Sequence, residues 1–234
     1  MKDVELNDLY EISARANINR RCATAYLHDI RGSMHALFSA IELLGRSAKS
    51  GDGNQERIDK ACELAKRAIG NHERTTLGAV QALALLDFDA AAVDVAVLAA
   101  EVVQFLRNHA AVKEVAVTTA AEGPVIVVAE RAKLRALLMG LIMEAIDGSP
   151  SGADLRVAVA RTGDDAVVSI GCAPGCAAIS ATQEFLPPAN GRLDPLELTL
   201  VYARQYLREN GGRLEIDAGA QPRGELRLVY PAVA

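Results

Sequence analysis

The chain has 234 residues, half of them hydrophobic, with 30 acidic residues against 25 basic ones. That length is enough for one large domain or two small ones with a real core. No uninterrupted apolar run approaches the eighteen or so residues of a membrane span, MKDVELNDLYE is too polar for a secretory leader, and the scattered basic residues form no nucleic-acid footprint, so a cytoplasmic protein with a protein or small-molecule partner is expected.

From about Leu6 to Arg46 the sequence predicts one long helix, free of proline, with an apolar stripe at Ala23, Leu27, Ile30, Met34, Leu37, Ile41 and Leu44. Alternating three-four spacing of this kind is a bundle seam. Residues 47–56, SAKSGDGNQE, supply a turn, and a second stripe runs through Ile58, Cys62, Ala65, Ile69, Ala79, Leu83 and Leu86. The unit is an antiparallel hairpin. Two helices cannot enclose a core, so the seam is expected to be covered by a second copy in a homodimeric four-helix bundle, the alternative being the rest of the same chain.

After Phe88 the pattern becomes mixed. Strands are predicted at 115–119, 125–129, 154–160, 166–171, 213–217 and 225–230, and helices at 95–109, 130–147 and 196–209. Asn210-Gly211-Gly212 suits a left-handed cap after the last helix. The stretch between Cys172 and Asp194, with prolines and little periodicity, reads as a lid or the remnant of one. The fold class is therefore α+β, with a dimerising hairpin over 1–88 and an α/β sandwich over 89–234. The four cysteines, at 22, 62, 172 and 176, form no paired modules; Cys172 and Cys176 lack two further ligands for zinc and read as ordinary thiols.

Chemistry concentrates at His28-Asp29-Ile30-Arg31. By helical spacing His28 points away from the seam at Leu27 and Ile30, which exposes its imidazole. An exposed imidazole is a nucleophile toward phosphorus, and an adjacent carboxylate can orient the ring. A solvated polar face is the alternative. Arg31, close by on the helix, either neutralises phosphoryl charge or is a surface arginine. Of the other histidines, His35 lies on nearly the same face without a following acid, His72 falls in the second seam as a hydrogen-bonded core residue close to the level of Ile30, and His109 ends a helix and suits its dipole.

The stretch around His28 resembles the H-box of sensor histidine kinases, in which a His followed by an acidic residue sits on the first helix of a dimerising hairpin. LRALLMGLIMEAIDGSP (134–150) looks like the family's N-box helix, VVSIGCAPG (167–175) like the strand and glycine motif that holds adenine, and LELTLVYARQYLRENGGRLEI (196–216) like the helix and strand after the last glycine box. The resemblance implies a kinase-type ATPase-like domain, and the departures from it imply that the ATP site is degenerate. Glu144 stands where the family has a magnesium-binding Asn, with metal binding by its carboxylate as the alternative. Gly171 replaces the Asp that accepts from the adenine amino group, and Ala173 replaces the first motif glycine. Leu193, Pro195 and Glu197 occupy glycine positions of the last box, where phosphates need close backbone approach, and Glu197 would repel them. Another small ligand in that cleft is the alternative.

The resemblance with these departures implies a kinase-dead histidine phosphotransferase. His28 would accept a phosphoryl group from one response-regulator receiver domain and pass it to another, with Asp29 orienting the ring, no stably bound cofactor, and magnesium supplied by the receiver. Two rivals are a non-catalytic protein that sequesters a response regulator, and an atypical active kinase.

Overall fold

The three-four pattern at the start of the chain is realised as two helices in a computed structural model, which describes residues 2–50, 55–83, 89–172, 195–217 and 224–233. Helix α1 spans Lys2–Ser50 and α2 spans Gln55–Leu83. With no proline inside it, α1 continues four residues beyond each expected end, leaving a shorter connection than the predicted turn over 47–56. Contacts divide the chain into two compact units: Arg20–Ala84, and a second that joins Met1–Asn19 to Leu85–Ala234. Helix α1 thus contributes its residues up to Asn19 to one unit and those from Arg20 onward to the other.

In the helical unit the buried positions of α1 are Cys22, Tyr26, Ser33 and Ala40, a stripe of four- and seven-residue steps, matched on α2 by Ala61 and Ala68. The larger apolar side chains face outward. Leu27 is 65% exposed, Phe38 62% and Ile41 61%, with Met34, Leu43 and Ile69 also exposed. Of the seam read from the sequence, Leu27, Met34 and Ile41 face outward while Ala23, Ile30, Leu37 and Leu44 are half-buried; the hairpin's own interface runs along the adjoining stripe, where Tyr26 is the one large residue among small ones.

The α/β unit takes its elements in the order β1 (Ala90–Asp94), α3 (Val95–Val112), β2 (Ala116–Ala121), β3 (Ile126–Glu130), α4 (Arg131–Asp147), β4 (Asp154–Thr162), β5 (Asp165–Cys172), α5 (Pro195–Glu209), β6 (Arg213–Asp217) and β7 (Gly224–Pro231). Six of these strands and all three helices are those that the sequence predicts. The exception is β1. Its sequence, AAAVD, has a single buried side chain, Val93, and no alternation of large residues; it becomes a strand by pairing antiparallel with β3. The other five strands form a sheet in the order β2-β4-β5-β7-β6, parallel only between β2 and β4.

Alternation puts Leu155, Val157 and Val159 of β4 on the same side of their strand as the core, joined by Val168, Ile170, Leu226 and Leu228. Burial of each such side chain stabilises the fold by about 1.5–3 kcal/mol. Helices α3, α4 and α5 pack on the sheet. Helix α4 is buried on every side from Ala136 to Ile146, which accounts for its nearly continuous apolar sequence. Among the described residues α3 is the one helix long and apolar enough to cross a membrane by composition, and its face of Val95, Leu98, Val102 and Leu106 is buried in this unit.

Two caps fix the helix directions. Asp94 accepts from the backbone N–H of Ala96 at 2.9 Å and of Val97 at 3.4 Å, and also from Val125 at 3.3 Å. At the end of α5, Gly211 adopts φ +74, its N–H bonds to the Arg208 carbonyl and that of Gly212 bonds to Leu207, which is the expected left-handed cap.

Candidate functional site

Helix α1 presents His28 with 73% of its side chain exposed, while the neighbouring Asp29 is 19% exposed. His28 Nδ1 lies 3.4 Å from Asp29 Oδ1. An ionised carboxylate can only accept, so this contact selects the imidazole tautomer protonated at Nδ1 and leaves the lone pair on Nε2. The pairing anticipated from sequence is thus present: an exposed ring nitrogen with nucleophilic capacity, on a ring whose other nitrogen is held. Arg31 is exposed three residues further on, about 60° round the helix. His35 is also exposed, about 10 Å along the helix from His28 on nearly the same face.

Five residues beyond His28 the two helices are joined by a polar contact. Ser33 Oγ donates to the Ile30 carbonyl at 2.8 Å and lies 3.1 Å from His72 Nδ1. Because the serine proton is already committed, His72 must be the donor in the second bond. His72 is hydrogen-bonded as expected from its place in the α2 stripe, but it is half-buried rather than a core residue, and it meets Ser33, three residues past the expected level of Ile30. The connection between the helices is centred between residues 52 and 53 rather than near 51, which accounts for that shift in register. Ser33 escapes a sequence reading because a lone serine within an apolar stripe carries no motif.

In the α/β unit, Glu144 is a buried residue of α4. Gly171 sits in β5 opposite Glu225 of β7. A Cβ at Gly171 would lie 3.6 Å from the backbone N and O of Arg156, an ordinary contact, so neither space nor backbone conformation demands glycine there. Pro195 opens α5 and Glu197 stands in its first turn. Ala173 and Leu193, with most of the expected lid and Cys176, lie outside the described residues. Among the described residues no three His, Cys, Asp or Glu side chains group as a metal site. His109, in the last turn of α3 as expected, places Nε2 3.0 Å from Asp147 Oδ1, and Lys113 Nζ lies 3.6 Å from the same oxygen. This junction of α3 and α4 brings together residues 38 positions apart and has no local sequence signal.

The tyrosines of this unit are shifted by their surroundings. Burial raises the Tyr202 hydroxyl well above its ordinary value, with the Glu11 carboxylate adding to the effect, and Tyr202 donates to the Lys133 carbonyl at 3.3 Å. Burial likewise raises Tyr206 and Tyr230.

The fold, a long helical part with an α/β ATPase-like domain of the histidine-kinase type, is similar to that of several solved structures. A bacterial phosphotransferase of known structure superposes with a TM-score of 0.51 at 17% identity, covering 91% of this chain and 96% of that one. A histidine kinase from Burkholderia phymatum STM815 gives 0.50 at 14% identity, covering 92% and 98%. The catalytic domain of the histidine kinase ThkA gives 0.50 at 14% identity, covering 62% and 96%. No protein-family model and no curated protein sequence matches the chain.

Proposed function

We propose that the chain is a cytoplasmic, homodimeric histidine phosphotransferase of a two-component phosphorelay, with His28 as the phosphoryl acceptor and response-regulator receiver domains as its partners. The observation that carries this reading is the exposed imidazole of His28, held through Nδ1 by Asp29. The Nε2 lone pair attacks the phosphorus of a receiver's aspartyl phosphate. The N–P bond forms as the P–O bond to the receiver breaks, and the aspartate leaves as its carboxylate. Nδ1 keeps its proton, and Asp29 stabilises the positive ring that results. Onward transfer reverses these steps on a second receiver. Both bonds are reactive phosphoryl bonds, so catalysis consists mainly of alignment, and the receiver brings the magnesium ion.

The outward stripe of Leu27, Met34, Phe38 and Ile41 supports the dimer, since a second hairpin would bury it as the core of a four-helix bundle. On this reading the α/β unit binds no ATP: Glu144, Gly171, Ala173, Pro195 and Glu197 each remove a different contribution to nucleotide binding. The test compares donors. The chain is incubated with radiolabelled ATP and magnesium, and separately with labelled phospho-receivers of the host. Transfer from a receiver with none from ATP is expected. Labelling by ATP alone would establish a kinase, and labelling by neither would leave sequestration of a response regulator as the better account.

A further inference from the structure

Gly140 is an unexpected residue for the middle of a buried helix, where glycine costs about 1 kcal/mol relative to alanine. The reason is a close neighbour. A Cβ at Gly140 would fall 2.7 Å from Ile18 Cδ1, 3.2 Å from Ile18 Cγ1 and 2.9 Å from Thr199 Cγ2. Ile18 of α1 therefore fills the space directly over α4, beside Thr199 of α5, and both side chains are 1% exposed or less. The attachment does not rest on one side chain. Four residues earlier Ala14 is fully buried, and a further turn back Glu11 lies 3.6 Å from Lys133 Nζ at the start of α4 while also pairing with Arg15 at 3.2 Å. Ile18, Ala14 and Glu11 follow the three-four spacing of a single helix face.

Glu144 is four residues after Gly140, one turn along the same face of α4. We propose that the first part of α1 is a built-in occupant of the groove between α4 and α5, with Ile18 over Gly140 closing to outside ligands the face of α4 that leads to Glu144. The contact stands by itself. Its meaning for nucleotide rests on the proposed reading of Glu144 as a lost metal position. The loss of an ATP site would then be steric as well as chemical.

The test uses the full chain with its native cysteines replaced, carrying Ile18→Cys and Gly140→Cys. Because Ile18 Cγ1 lies 3.2 Å from the position of a Gly140 Cβ, two cysteine Cβ atoms come within reach of a disulfide. Mild oxidation is expected to close an intrachain bridge in most molecules, and the bridged protein should still take phosphate on His28 from a receiver. Absence of the bridge, or bridging only between chains, would overturn the docking, whereas a bridged chain that no receiver labels would count against the phosphotransferase reading alone. A second comparison does not depend on cysteine chemistry. Gly140→Ala should lower the thermal transition by several degrees, and in the double variant with Ile18→Ala the loss should be smaller than the two single losses added together. If the double variant is no more stable than expected from the sum of the two single changes, Ile18 is not what Gly140 makes room for.

Discussion

Ser33 Oγ stands 3.1 Å from His72 Nδ1 while giving its own proton to the Ile30 carbonyl, so the imidazole donates to an oxygen that has no other proton to offer. This bond joins α1 to α2 five residues past His28 and fixes the register of the hairpin at that level. Ser33→Ala should leave the His72 N–H without its partner in a half-buried site and cost about 1–2 kcal/mol in denaturant unfolding. His72→Phe, which removes the donor and fills the space, should cost less when combined with Ser33→Ala than the two single changes added together.

The outward apolar stripe makes a prediction about assembly. Sedimentation of the wild-type chain should report a dimer. Phe38→Glu with Ile41→Glu should give monomers or unfolded chains, because both side chains, exposed in the single chain, would carry unpaired charge into the bundle core. A stable wild-type monomer would contradict the bundle.

Gly212 closes α5 where a Cβ would run into the Val229 carbonyl oxygen of β7. Backbone cannot yield there as a side chain could, so Gly212→Ala should be more damaging than Gly211→Ala, even though Gly211 alone adopts a positive φ. Thermal unfolding should show a loss of about 1 kcal/mol at Gly211 and a larger one at Gly212.

Most of the fold was legible because it follows from periodicity. The helices over 95–109, 130–147 and 196–209 and six of seven strands are within a few residues of the observed elements. What periodicity does not carry is partnership. Strand β1 is made by β3 and not by its own alanines, the Ser33–His72 bond depends on where the connection between two helices falls, and Gly140 is explained by Ile18, 122 positions earlier, and Thr199, 59 positions later. The His28–Asp29 pair was legible because adjacent residues on a helix need no tertiary information to meet.

The tyrosine cluster gives a pH dependence. Burial, first among the causes at Tyr202, Tyr206 and Tyr230, raises each hydroxyl above its ordinary value of 10.0 and so favours the neutral form in the folded chain. That contribution is fully present below about pH 10 and is lost as the pH rises beyond it, since the unfolded chain ionises first. Stability measured in urea should therefore fall above pH 10, and Tyr202→Phe should flatten the fall without removing it.

The central claim concerns one ring nitrogen, and phosphoryl transfer to variant chains measures it most directly. With a phosphorylated cognate receiver, the wild type should gain an acid-labile, base-stable phosphoryl group. His28→Ala should gain none while keeping its dimeric state and thermal transition, and Asp29→Asn should be labelled more slowly, by about ten-fold to a thousand-fold, because alignment by the receiver and its metal remains. Label on folded His28→Ala at the wild-type rate would place the acceptor elsewhere and contradict the account.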